Sequence, residues 1–88
     1  MEYKVELSEQ ALKSLKKIDR HQVKIIFGWI EKNLAGCQNP RMHGKALVGK
    51  QKGHWRYRVG AYRIIADIQD ERVRILLVNI AHRREVYD

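Results

Sequence analysis

One stretch limits the possible folds more than any other: Trp55-Arg56-Tyr57-Arg58-Val59-Gly60-Ala61-Tyr62-Arg63-Ile64-Ile65. Apolar and basic residues alternate on either side of Gly60-Ala61, the signature of a β-hairpin with two unlike faces. Glycine at the first central position suits a type II′ turn, whose twist matches the strands it joins. With Gly60-Ala61 as the turn, Val59 faces Tyr62, Tyr57 faces Ile64 and Trp55 faces Ala66 on a core side. Arg58 then opposes Arg63, and Arg56 opposes Ile65, on the other side. Like charges directly across a strand pair cost up to about 1 kcal/mol, so stability alone does not account for opposed arginines, whereas an anion held between them does.

The charge around this hairpin is also one-sided. No acidic residue occurs between Glu31 and Asp67, while Lys32, Arg41, Lys45, Lys50, Lys52, Arg56, Arg58 and Arg63 all do. Uncompensated charge on that scale is self-repelling and reads as a surface for a polyanion. Net charge is +8, and eleven of the 18 basic residues lie from Arg41 onward, which puts nucleic acid first among partners. No lone basic amphipathic helix argues for a membrane surface. With 88 residues, 1–88 make a single domain with a thin core that a partner is expected to complete. Cys37 is the sole cysteine and cannot form an internal disulfide, and no secretory leader pattern opens the chain, so a cytoplasmic, membrane-free location is expected.

Along the chain, Tyr3, Val5 and Leu7 alternate with charged residues as in a half-buried edge strand. Ser8 is placed to cap a helix bearing Ala11, Leu12, Leu15 and Ile18 on one side. Asp19 is placed to cap a second, with Val23, Ile26, Phe27, Ile30 and Leu34 at helical spacing, Ile25 and Trp29 widening the face, and Gly36 ending it. A glycine-rich loop from Gly36 to Gly53 follows, broken by a short Ala46-Leu47-Val48 segment. After the hairpin, Asp70-Glu71 marks another turn, and a tight register there places Asp67 opposite Arg74, Ala66 opposite Ile75 and Ile64 opposite Leu77. The fold class is α+β: an N-terminal strand, a two-helix hairpin, then an antiparallel β-sheet.

The chemistry available is restricted. Carboxylates clustered to hold hard cations are lacking, the four histidines and Cys37 show no metal-ligand spacing, and no cofactor motif occurs, so neither metal nor cofactor is expected. What remains open to such a chain is metal-independent RNA cleavage, in which the ribose 2′-hydroxyl attacks the adjacent phosphate. Arginines supply charge for the phosphorane but cannot move the protons. The tail, His82-Arg83-Arg84-Glu85-Val86-Tyr87, offers groups that can. A tyrosine among cations becomes a better base, so Tyr87 is the first choice for that role and His82 the second. Trp55, Tyr57 and Tyr62 fall on the core side of the hairpin and read as packing residues.

These two segments, Trp55 to Ile65 and His82 to Tyr87, resemble the RelE family of the RelE/ParE toxin superfamily, and the likeness extends over essentially the whole chain. The resemblance implies a RelE/ParE-like fold and the toxin of a type II toxin–antitoxin system. It further implies a ribosome-dependent mRNA endonuclease, or mRNA interferase, that cuts message in the decoding site and stops translation. On that likeness Arg56, Arg58, Arg63 and Tyr87 occupy catalytic positions, with Arg83 or His82 as a further basic group. The strand positions that are lysines in well-known members are arginines here, which shifts proton transfer toward Tyr87 or His82. The loop residues Lys45, Lys50 and Lys52, with the basic helices, would contact ribosomal RNA. A cognate RelB-like antitoxin would cover sheet and helices in an oligomeric complex. Two other readings fit the same residues: a ParE-like toxin that binds DNA gyrase, and a non-catalytic RNA-binding module.

Overall fold

A computed structural model of the chain describes residues 1–49 and 53–82. Strand β1 (Lys4–Leu7) leads into helix α1 (Glu9–Lys17) and helix α2 (Arg20–Asn33). The two-residue strand β2 (Lys45–Ala46) is followed by the long strands β3 (Trp55–Val59), β4 (Tyr62–Gln69) and β5 (Arg74–His82). They form one five-stranded sheet in the order β1-β5-β4-β3-β2. The sheet is mixed, not wholly antiparallel as expected from sequence: β2 to β5 pair antiparallel, but β1 runs parallel to β5, with Val5 opposite Ile75. Pairing the first strand with the last makes all of the chain between them the crossover that a parallel pair requires.

Ser8 joins strand to helix. Its hydroxyl oxygen accepts from the Ala11 amide at 3.1 Å as an N-cap and donates to the Val78 carbonyl at 2.7 Å. Asp19 begins α2 without a side-chain cap bond. α1 packs against β5 and α2 against β3. Ala11, Leu15, Ile26, Ile30 and Leu34 thereby cover Tyr57, Val59, Ile64, Ala66, Ile75, Leu77 and Ile80 in one core. The apolar stripes are wider than the surface the sheet covers, so Leu12, Ile25 and Phe27 stay exposed.

The Gly36–Gly53 loop is tied down at several points. Tyr57 donates its hydroxyl to the Pro40 carbonyl and Trp55 its indole N–H to the His43 carbonyl, both at 2.6 Å. At its base, Arg41 makes two hydrogen bonds to the Asp70 carboxylate, of 3.0 and 2.9 Å, and the Tyr3 hydroxyl donates a third of 2.7 Å. Arg41 is therefore compensated from outside the acid-free stretch. Its guanidinium first, and the Tyr3 hydroxyl second, hold the Asp70 carboxyl below its ordinary value. A carboxylate depressed on folding adds stability above its unfolded pKa and loses it as pH falls through the folded one. Between about pH 5 and pH 2 the wild-type melting temperature is expected to fall more steeply than that of Asp70→Asn. Parallel melting curves across that range would show that the tie contributes nothing.

The turn between β4 and β5 differs from the tight one anticipated. A single 3-10 turn at Asp70–Arg72 ends in Val73 with φ +51°, and β4 runs on to Gln69, which pairs with Arg74. Ile68 then faces Ile75 and Ala66 faces Leu77. Beyond that pair the register slips: Ile65 faces Asn79 and Ile64 faces Ile80, leaving Val78 as the extra residue of a β-bulge. The slip explains why the buried residues of β5 change from odd positions, Ile75 and Leu77, to the even position of Ile80.

Candidate active site

The hairpin registers as its sequence requires. Trp55 pairs with Ala66, Arg56 with Ile65, Tyr57 with Ile64, Arg58 with Arg63 and Val59 with Tyr62. Gly60 has φ +58°, and Val73 is the sole described non-glycine residue at positive φ, so only the first central residue of the turn takes that conformation, as type II′ requires. Tyr57 is fully buried, and burial pushes its phenol pKa upward, which keeps it protonated and out of proton transfer.

On the opposite face the strands gather the cations. Lys45 of β2 lies directly across from Arg56, and Arg58 directly across from Arg63. Lys45 and Arg58 are exposed, Arg63 is half-buried, and Arg56 is only 8% exposed beside Ile65 at 6%. Arg56 therefore lays its aliphatic stem along the sheet and is not a solvated surface arginine. The result is two opposed cation pairs, two residues apart along β3. Guanidinium groups present planar forks of donors that match phosphate oxygens. Such an arrangement binds a phosphodiester and favours the extra negative charge of a phosphorane. Guanidinium groups stabilise charge but do not exchange protons in such a step, so proton transfer calls for a different side chain.

Lys45 is the member whose position sequence reasoning placed only in a loop, because nothing in its local pattern shows which part of that loop meets β3. The approach depends on Gly44, where φ is +83° and an added Cβ would lie 2.2 Å from the Arg56 carbonyl oxygen. Before Lys45 no described strand continues along β3 past Arg56, and at this open edge lies a cavity of about 240 Å³ lined by Trp29, Gly44, Lys45, Arg56 and Arg58.

His82 is placed elsewhere. It pairs with Tyr62, their ring centroids 5.3 Å apart, on the side of the sheet that carries Ile64 and faces the helices. There it lines a groove with Ser14, Lys17, Ile18 and Ile80. The structure thus brings Arg56, Arg58, Arg63 and Lys45 to one face and does not bring His82 to it. Lys50, Lys52, Arg83 and Tyr87 lie outside the described residues. Among the described residues no group of three or more histidine, cysteine, aspartate or glutamate side chains is arranged to hold a metal ion, and no helix is long and apolar enough to cross a membrane.

Comparison with known proteins places this architecture. A search of curated proteins finds no match. Among solved structures, a chain of the toxin–antitoxin complex RelBE2 from Mycobacterium tuberculosis superposes with a TM-score of 0.84 at 24% identity, over 94% of this chain and 93% of that one. The isolated E. coli RelE toxin gives 0.72 at 20% identity, over 91% and 83%. The archaeal RelE–RelB complex from Pyrococcus horikoshii gives 0.72 at 19%, over 98% and 100%. Residues 5–87 match the family model of the ParE toxin of type II toxin–antitoxin system, parDE. The chain belongs to that family and is a toxin of a type II toxin–antitoxin system within the RelE/ParE superfamily.

Proposed function

We propose that this toxin is a ribosome-dependent mRNA endonuclease that cuts message in the decoding site and thereby stops translation. The observation that carries the reading is the direct opposition of Arg58 to Arg63, next to that of Lys45 to Arg56, on a single face of the sheet. Opposed cations are an expense for folding and an asset for binding a phosphodiester.

In this reading the substrate brings its own nucleophile. The ribose 2′-oxygen attacks the adjacent phosphorus, the bond to the 5′-oxygen breaks, and a 2′,3′-cyclic phosphate is left. Arg56, Arg58 and Arg63 neutralise the phosphorane. Tyr87 takes the 2′ proton, the departing 5′-oxygen takes a proton from water, and Arg83 adds charge from the tail. His82, on the helix-facing side, is not assigned a part in this step. Lys45, Lys50 and Lys52 contact ribosomal RNA. A RelB-like antitoxin is the regulatory partner, since matched chains from M. tuberculosis and P. horikoshii come from toxin–antitoxin complexes. The toxin acts in the cytoplasm, where ribosomes are.

The 2′-hydroxyl scheme has a direct test. A message 2′-O-methylated at its cut site is expected to resist cleavage on ribosomes while its unmodified twin is cut. Equal cutting of both would overturn the scheme. The family match to ParE favours a second reading, a poison that binds DNA gyrase and cuts no RNA. It predicts replication arrest with intact messages.

A further inference from the structure

We infer that the cavity at the open edge of β3 is a nucleobase pocket, in which Trp29 stacks one unpaired base of the RNA while Lys45, Arg56 and Arg58 hold its phosphate. The inference rests on the RNA-cleaving reading and adds a recognition residue from α2, outside the hairpin.

The cavity lies where two kinds of surface meet. Strand β2 pairs with β3 at Trp55 and Arg56, and past Arg56 no described strand pairs with that edge, which gives access around the side of the sheet. The cationic members reach it from the outer face, and Trp29 reaches it from the helix. At about 240 Å³ the space is smaller than the ~300 Å³ at which drug-sized pockets begin, a size suited to a single base and not to a duplex. Its lining pairs one aromatic wall with three cations, the combination that single-stranded RNA recognition uses to stack a base and hold its backbone.

Trp29 is held ready for this. Its ring meets His43 edge-on at 5.8 Å and Tyr57 at 5.4 Å, and both neighbours take part in the bonds that join loop to β3, His43 through its carbonyl to Trp55 and Tyr57 through its hydroxyl to the Pro40 carbonyl. The indole therefore keeps one orientation without a ligand, which lowers the entropic cost of binding. The two tryptophans also differ in their polar atoms. Trp55 gives its N–H to the His43 carbonyl, while the Trp29 carbonyl accepts from Asn33 and its half-buried indole makes ring contacts, with no hydrogen bond from its N–H among the described residues. That leaves the Trp29 N–H for a base edge or for water. Gly44 completes the pocket floor, where a side chain would collide with β3.

The test uses the whole toxin labelled with nitrogen-15 and two 2′-O-methylated oligoribonucleotides of equal length, one with bases and one abasic. With the base-bearing strand, the Trp29 indole N–H resonance is expected to shift while that of Trp55 stays. The abasic strand should bind about tenfold more weakly and leave Trp29 unmoved. Trp29→Leu should reduce affinity for the base-bearing strand to that for the abasic one. Should that variant fail to fold, the two-strand comparison on wild type still decides. If both strands shift the Arg58 and Arg63 amides equally and leave the Trp29 indole in place, the pocket is refuted and the phosphate-binding face stands. If neither strand shifts any resonance, the pocket and the RNA-binding reading fall together.

Discussion

Arg63→Ala is expected to slow message cutting by about 10²–10³-fold, the loss found when one preorganised donor to a developing anion is removed, and so to relieve growth arrest. Arg63 stands near the middle of the cation face, opposite Arg58 and on the strand that also pairs with β5. Its side chain is only half-buried and its β5 partner is an alanine, Ala81, so the fold and antitoxin binding should survive. Arg58→Ala makes the contrast sharper. Arg58 is exposed and faces a like charge, so its removal should abolish toxicity while leaving the melting temperature unchanged or higher, by up to about 1 kcal/mol of stability. A residue kept for folding would behave in the opposite way. Full toxicity in both variants, measured as growth after induction, would remove this face from the mechanism.

Gly44→Ala is expected to have the largest effect on stability of any glycine-to-alanine change in the chain. At φ +83° a side chain already costs about 1–2 kcal/mol, and the new Cβ would stand 2.2 Å from the Arg56 carbonyl oxygen and 2.7 Å from the Trp55 indole nitrogen. Backbone cannot yield as a flexible side chain can, so β2 must leave β3. A loss of about 3 kcal/mol or more in chemical denaturation follows. Gly49 and Gly60 also have positive φ, but an added Cβ meets nothing within 4 Å at either position, so Gly60→Ala and Gly49→Ala should cost only the conformational part. Equal losses at Gly44 and Gly49 would show that the close approach of the loop to β3 is not what holds it.

These residues also show what the sequence could disclose. The hairpin was legible to the individual pair because a two-residue turn fixes register, and a glycine at the first position names the turn. The β4–β5 register was not. Its turn places a β-branched residue, Val73, in the left-handed region, a conformation with no local sequence signal, and the bulge at Val78 leaves no mark in the alternation. That single extra residue decides the face of His82. Without it, the register of Ala66 with Leu77 would have carried His82 to the side of Arg63; with it, His82 meets the Tyr62 ring edge-on on the side that faces the helices. A period of two makes any one-residue slip a change of face. The arginines escaped this hazard because they lie on the hairpin side of the bulge. The burial of Arg56, and the meeting of Lys45 with it, depend on how a glycine-rich loop returns to the sheet, which hydrophobic pattern does not encode. The exposed Leu12, Ile25 and Phe27 show the converse: helical periodicity marks which residues are apolar, while the width of the sheet sets how many are covered.

Mapping the 5′ ends of cellular messages by primer extension, minutes after induction of the toxin, tests the central claim most directly. New ends confined to translated regions, absent with Arg63→Ala and absent from messages whose start codon has been removed, are the predicted result. Intact messages in cells that have stopped replicating their DNA would contradict it and identify a gyrase poison built on the same fold.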